Sequence, residues 1–367
     1  MTGASAQASD VAMKGGGYYS LSTTGAKDVI DAAIPLALEA IEAMPIAGAR
    51  PFVLADMGCA DGGTSVDLVR AALEAVRAKR PELPLWVVYS DQPRNDYNAL
   101  FHILNGGTEI RSYLDDFEGL SVTASATSFY RQVLPQGALD LGFSATAMHW
   151  LSAKPCDISD HVQAVGARGA ELEAFAEQGR RDWETILLHR AAELAPGGAF
   201  VMANFCKDEE GRYLGHTGGV DMFDCFNRLW QALRDERRIS AEEYRRMTLP
   251  QYYKTVEEFS APLTDPGNAV HRAGLRLHGI ETRVTPCPYA ADFRRHGDAD
   301  AFARAYVPTL RSWTESTFFG ALAPERPLAE RREIVDSYYD RYEAMVRERP
   351  EGHAMDYVHA FMSVRKI

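Results

Sequence analysis

Residues 51–80 read PFVLADMGCADGGTSVDLVRAALEAVRAKR, and this stretch decides the fold. A short apolar run, Phe52–Ala55, ends on Asp56. A turn carrying Gly58, Gly62 and Gly63 follows, and then apolar residues at helical spacing. A buried strand, a glycine-rich turn and an amphipathic helix make one unit of a parallel sheet. The unit recurs along the chain. PLWVVYSDQPRND (84–96) is a second buried strand ending in an acid, Asp91, and ALDLGFSATAMHWLS (138–152) is another strand running into a polar-aromatic loop. RRDWETILLHRAAELAPGGAFVMANF (180–205) reads as helix, Pro-Gly-Gly turn and strand. Strands alternating with helices predict an α/β fold with a parallel sheet covered on both faces.

Upstream, residues 1–12 have the small polar composition of a disordered leader. MKGGGYYSLSTTGA (13–26) sets glycines beside Tyr18 and Tyr19, and is expected to act as a lid. Residues 26–44 space Val29, Ile30, Ala33, Ile34, Leu38 and Ile41 as an amphipathic helix, with Pro35 expected to kink it. After Phe205 the pattern changes. Residues 207–270 are rich in helix, and their charge run 234–246 is expected to be a solvated helix face. HGIETRVTPCPY (278–289) alternates as a strand, 291–350 return to helix, and YVHAFMSVRKI closes the chain as a strand. The expected organisation is a leader and lid (1–25), a core (26–206), a helical cap in two parts (207–270 and 291–350), a core strand between them (271–290) and a final core strand (351–367).

Bulk properties exclude several functions. The 367 residues carry 39 basic and 51 acidic side chains, a net charge of −12. Such a chain repels phosphate backbones and anionic membranes, so no nucleic-acid or membrane partner is expected. Five scattered cysteines have neither metal spacing nor the pattern of a disulfide framework, which suits reduced thiols in the cytoplasm. No signal peptide is read at the start, and no apolar run approaches the roughly 18 residues of a membrane span.

The chemistry begins at DMGCADGG (56–63). It sits at the carboxyl end of a predicted strand, where open α/β sheets bind ligands. A dinucleotide fingerprint would want Gly where Ala60 stands, and Asp56 would repel a pyrophosphate. An acid there suits a cationic amino group. S-adenosylmethionine carries an α-amino group and a sulfonium and no phosphate, and Asp91 is placed to accept from its ribose hydroxyls. An NAD-type cofactor, or none, stays open at this point.

Several stretches together resemble the SABATH family, which contains the salicylate, benzoate and jasmonate carboxyl methyltransferases and the caffeine-pathway N-methyltransferases. They are MKGG with YSLSTTGA, then DMGCADGG, SDQPRNDYNALF, TSFYRQVLP, SATAMHWLSAKP, the run FNRLWQALRDERRISAEEYRRMTLPQYYKTVEEF, and the closing AFMSVRKI. The resemblance implies a class I S-adenosylmethionine-dependent methyltransferase fold. That is a Rossmann-like, mostly parallel seven-stranded sheet with an α-helical cap, often in a homodimer, acting on a small-molecule substrate and releasing S-adenosylhomocysteine. Carried over by residue, Thr23, Asp56 and Gly58 lie at the methionine end of the cofactor, and Tyr19 closes against the cofactor. Asp91 holds the ribose, with Gln92 beside the adenine, and Ser128 and Phe129 bound the adenine ring. Trp150 orients the acceptor through its indole N–H, with His149 next to it.

The acceptor half departs from the family pattern. The family's substrate-clamping Gln falls on Ala26, its Asn on Ser22, and the aromatic before His-Trp on Thr146. The Asn of the cap's Asn-x-Pro falls on Thr248, so no metal site is expected. Phe223 falls where the cap has a pocket tryptophan, with Trp230 and Trp313 as further possible walls. Methyl transfer from a sulfonium is an in-line displacement that needs positioning and a dry site. A carboxylate acceptor needs no base, whereas an amine or phenol would, and His149 is the nearest one. The expectation is carboxyl methylation of a small organic acid. The alternatives are N- or S-methylation of a small metabolite and a catalytically silent cofactor-binding homologue.

Overall fold

The computed structural model describes residues 24–367. Seven strands form a single sheet in the order β3-β2-β1-β4-β5-β7-β6. β1 (Phe52–Met57), β2 (Leu85–Ser90), β3 (Leu120–Ser125), β4 (Leu139–Ala145) and β5 (Leu194–Phe205) run parallel. β7 (Tyr357–Lys366) is antiparallel to both β5 and β6 (Leu275–Thr285). All six residues of β1 are buried, as its unbroken apolar run requires of a central strand covered on both faces. β3 is an edge strand with little burial, and its sequence offers almost no apolar signal. The chain leaves β1 toward β2 and β3 and returns to β4 on the other side. The switch point therefore lies over the carboxyl ends of β1 and β4.

One face carries α1 (Thr24–Glu42) and α2 (Val66–Lys79), whose apolar stripes join the cap in a continuous core. The helix α1 runs through Pro35 without a break. The other face is covered by α4 (Gly169–Glu193), which packs Trp183, Ile186 and Leu187 against β4 and β5. The short α3 (Tyr97–Leu104) follows β2. α4 passes directly into β5, so Pro196-Gly197-Gly198 lies inside the strand, beside a register shift against β4.

The cap centres on α5 (Met222–Asp235) and α6 (Ala241–Arg246), packed on α10 (Ala299–Ala321) and α11 (Leu328–Glu348), with α9 (Pro288–His296) beside α10. Trp230 stacks on Tyr338 at 4.2 Å between ring centres, so it is a cap-core residue rather than a pocket wall. The charge run 234–246 is not wholly solvated. Glu243 is buried, takes a 2.6 Å ion pair from Arg326 and the Ala323 N–H, and closes a capping box with Ser240. These bonds hold its carboxyl near 2 against the opposing effect of burial. Within the stretch expected as cap, α7 (Val256–Thr264) and α8 (Ala269–Arg272) pack on β6 and α4.

A buried ion pair fixes the loop after β3. Arg190 and Glu193 of α4 are both fully buried at 2.8 Å. Arg190 donates to the carbonyls of Phe129 and Arg131, while Glu193 accepts from the N–H groups of Val133 and Leu134. Removing one partner leaves an uncompensated buried charge, which costs about 3–5 kcal/mol. Glu193→Ala is expected to lower unfolding free energy by that amount in a urea titration. A loss below about 1 kcal/mol would show that the pair does not hold the loop.

Candidate active site

The turn after β1 is built from backbone. Gly58, Ala60 and Gly62 have φ of 83°, 49° and 71°, the left-handed region. The N–H groups of Gly58 and Cys59 donate to the Ser90 carbonyl at 2.7 and 3.2 Å, and the Ala60 N–H donates to Asp91 Oδ2 at 2.8 Å. Asn95 Nδ2 closes the turn on the Ala60 carbonyl at 2.7 Å. Asp91 Oδ1 accepts from the Gln92 N–H at 2.7 Å. Each oxygen of Asp91 thus takes one backbone donor and keeps a lone pair for a ligand hydroxyl. Burial raises the Asp91 carboxyl above the usual range.

Asp56 lies under this turn with 3% exposure, and its Oδ2 accepts from Ser65 Oγ at 2.6 Å. Burial pushes its carboxyl up to about 7, the Ser65 hydroxyl opposes that, and the Asp91 charge adds to it. An acid at that value is poised to ionise when a cation arrives. The groups that act on Asp56 are the Ser65 hydroxyl and the like charge of Asp91, so no cation balances it among the described residues.

The loop after β4 brings the second group of residues to the same edge. Thr146 takes φ 51° and donates its N–H to the Ala203 carbonyl at 2.8 Å, which turns the chain over β5. The loop is then zipped to the segment before α7: the Leu151 N–H donates to the Pro250 carbonyl, and the Tyr252 N–H to the His149 carbonyl. His149 and Trp150 are buried, 5.5 Å apart between ring centres. The His149 ring meets the edge of Phe205 at 4.7 Å and lies 5.9 Å from Tyr253, which is 6.0 Å from Phe223. His149 Nδ1 and Trp150 Nε1 have no hydrogen-bond partner among the described residues.

Burial drives the His149 imidazole down to about 3. The nearby Asn204 carboxamide favours the charged form, and the Lys254 ammonium disfavours it. Lys254 is itself buried and lowered to about 8. His149 is therefore a neutral hydrogen-bonding group at neutral pH and a weak base.

The structure gathers Asp56, Gly58, Asp91 and Gln92 about one turn, and Thr146, His149, Trp150 and Phe223 about the neighbouring aromatic basket. Tyr19, Ser22 and Thr23, and the lid as a whole, lie outside the described residues. Ala26 is buried in the first turns of α1, and the neighbouring Gly25 abuts Tyr357 so closely that a Cβ there would lie 2.3 Å from its ring. Ser128 is half-buried. Phe129 lies tilted against Tyr130 at 4.8 Å between ring centres, behind Gly58. Ser65, Asn95, Phe205, Tyr253, Lys254 and His359 also shape the site, and sequence reading did not single them out. Only Phe205, the last residue of a predicted strand, carried a positional signal. Among the described residues no cluster of three His, Cys, Asp or Glu side chains could hold a metal ion. No described helix is long and apolar enough to cross a membrane.

The family profile of the S-adenosylmethionine-dependent carboxyl methyltransferases matches residues 9–367. The chain belongs to this family. It is the SABATH family that the motifs resemble, its methyl donor is S-adenosylmethionine, and its members are small-molecule methyltransferases. Loganic acid O-methyltransferase of Catharanthus roseus is 28% identical over 67% of this chain and 70% of that protein. Indole-3-acetate O-methyltransferase 1 of Arabidopsis thaliana is 27% identical over 75% and 74%. For gibberellic acid methyltransferase 1 of the same plant, 28% identical, the match spans 57% of this chain and 60% of the relative. A solved loganic acid methyltransferase with S-adenosylhomocysteine superposes with a TM-score of 0.76 over 97% of this chain and 98% of that one, at 20% identity. That match supports the seven-stranded class I fold.

Gly58 is where the turn after β1 meets the loop after β4. A Cβ added there would sit 2.5 Å from Cβ of Ala147, on a backbone that L side chains rarely adopt. Gly58→Ala is expected to cost about 1–3 kcal/mol of stability and to displace the loop bearing His149 and Trp150. Thermal unfolding and the near-ultraviolet signal of Trp150 check this. An unchanged melting point and spectrum would mean that the two loops are not in contact.

Proposed function

We propose that this protein transfers the methyl group of S-adenosylmethionine to the carboxylate of a small organic acid. One observation carries the acceptor choice: His149, the base candidate beside Trp150, is buried, which drives its imidazole down to about 3 and leaves it neutral and weakly basic. An amine or phenol would have to lose a proton to such a group, whereas a carboxylate is already ionised at neutral pH. The acid substrates in the names of the loganic, indole-3-acetic and gibberellic acid methyltransferases favour the same reading.

The residues fit the donor. Asp56, once ionised, pairs with its α-ammonium, and the free lone pairs of Asp91 accept from its ribose hydroxyls. Gln92, Ser128 and Phe129 border the adenine, Gly58 lets the backbone approach, and Tyr19 and Thr23 close the methionine end. S-adenosylmethionine supplies a methyl group already activated on a sulfonium. The chain's own task is to place a carboxylate in line with it and to keep water out. Trp150 donates its unpartnered indole N–H to one carboxylate oxygen, and His149 orients from beside it. At the positions of the family's clamp, Ala26, Ser22 and Thr146 supply no carboxamide, and Phe223 and Tyr253 form the apolar side. We read the enzyme as a cytoplasmic homodimer without nucleic-acid or membrane partners, consistent with its −12 charge and five free thiols.

The test is a screen of small acids and amines with methyl-labelled donor. Base-labile methyl esters are expected, and label recovered only on nitrogen or sulfur would overturn the reading. Asp91→Ala is expected to weaken S-adenosylhomocysteine binding at least tenfold in calorimetry. Trp150→Ala should leave that binding intact and lower turnover at least tenfold. Asp56 adds a pH signature. Only its carboxylate pairs with an ammonium, and in the free enzyme it gains its proton as pH falls through about 7. Affinity for S-adenosylhomocysteine should therefore be level above pH 7 and fall by up to tenfold per unit below it. Asp56→Asn should remove that slope.

A further inference from the structure

The aromatic basket contains a second histidine. His359 stands on β7, opposite Phe205 of β5 and Arg283 of β6, so its backbone is paired on both sides. Phe205 is the last residue of β5, which puts His359 at the carboxyl edge of the sheet, level with the loop that carries His149 and Trp150. Its imidazole is fully buried, and neither ring nitrogen has a hydrogen-bond partner among the described residues. The ring lies 4.2 Å from Phe205 and 6.0 Å from Tyr357, on the same side of β7 as both Tyr357 and Phe361. Trp150, His149, Phe205 and His359 thus form a row of rings spaced 5.5, 4.7 and 4.2 Å. Unpartnered nitrogens stand at both ends of the row and on the ring between.

A neutral imidazole always carries one N–H donor and one bare acceptor nitrogen. Burying both without partners costs free energy that an apolar residue of similar shape would avoid. Nearby polar groups do not relieve it. The Arg283 guanidinium lies over the Phe361 ring at 4.7 Å and donates to the Ala32 carbonyl and to Glu281. Burial, with the neighbouring His149, also holds His359 well below its ordinary value, so it is uncharged at neutral pH. What satisfies an uncharged donor–acceptor ring in an apolar row is a neutral group with the same dual capacity. A hydroxyl has it, whereas a second carboxylate can only accept and an ammonium can only donate.

We propose that His359 is a specificity-determining residue for the acceptor, hydrogen-bonding a hydroxyl remote from the carboxylate held at Trp150, so that the substrate is a hydroxylated organic acid. This rests on the carboxyl reading above. The acid would lie along the row with its carboxylate toward the donor and its hydroxyl toward β7. Its apolar body would rest on Phe205.

The experiment compares acids that differ by one hydroxyl: cinnamate with 4-hydroxycinnamate, and hexanoate with 6-hydroxyhexanoate. Full-length wild type, His359→Leu and His359→Gln are assayed for turnover. Binding of the same acids to the S-adenosylhomocysteine-loaded enzyme is followed by calorimetry. Wild type is expected to favour the hydroxylated member of at least one pair by tenfold or more, through KM rather than kcat. His359→Leu should erase the preference while leaving the unhydroxylated acid within about twofold, and His359→Gln should restore part of it. The Leu variant should melt at or above the wild-type temperature, because it removes an unsatisfied buried group. A purely structural histidine would instead lower it. A hydroxyl preference in binding without ester formation keeps the role of His359 and overturns the carboxyl reading. Ester formation with no preference in either pair, or a preference that survives in His359→Leu, overturns the role of His359 alone. Neither binding nor turnover of any of the four acids overturns both.

Discussion

Three backbone hydrogen bonds tie the turn after β1 to the end of β2: Gly58 and Cys59 to the Ser90 carbonyl, and Ala60 to the Asp91 carboxylate. The rest of the site depends on them. They hold three left-handed residues in place, leave Asp56 sealed beneath, and turn Asp91 so that both its oxygens keep a free lone pair. They also set how close Gly58 comes to Ala147, and through it the height of the loop that carries His149 and Trp150. The cofactor half and the acceptor half of the site are thus coupled through one contact that only glycine permits.

Much of the fold was legible because parallel sheets write themselves plainly. Strands buried on both faces are apolar runs, and the acids Asp56 and Asp91 mark where those runs meet the ligand edge. β3 escaped notice because an edge strand with exposed alternate residues has no such run. The Pro-Gly-Gly of β5 reads as a turn but is absorbed as an irregularity of the strand, since α4 already delivers the chain to the sheet. Glu243 read as one more surface charge. Its burial is decided by Arg326, eighty-three residues away, and no local pattern records that distance.

The same division runs through the site. Donor recognition is local, since the turn, Asp56 and Asp91 lie within two adjacent strand ends and their signal survives in a short motif. The proposed acceptor surface is assembled from α1, the loop after β4, the end of β5, the segment before α7, the cap and β7. Each contributes one or two side chains. Tyr253 and His359 carry no signal alone, because their meaning lies in which rings they face once the sheet has closed.

That assembly also explains why the basket is left with unsatisfied nitrogens. Elsewhere in the described core, buried charge is answered, as at Arg190–Glu193 and at Glu243–Arg326. In the basket, polar nitrogens are left open instead: the indole N–H of Trp150, Nδ1 of His149 and both ring nitrogens of His359 are buried without a partner among the described residues. Unmet hydrogen bonds of this kind weaken the ligand-free fold by a kcal/mol or so each, and a fold under no other constraint would fill such positions with aliphatic side chains. In the basket they follow a succession of ring contacts at the carboxyl edge of the sheet, and on the reading proposed above these rings are the surface an acceptor completes. Those groups are neutral, so on that reading the acceptor's charge belongs at the Trp150 end of the succession.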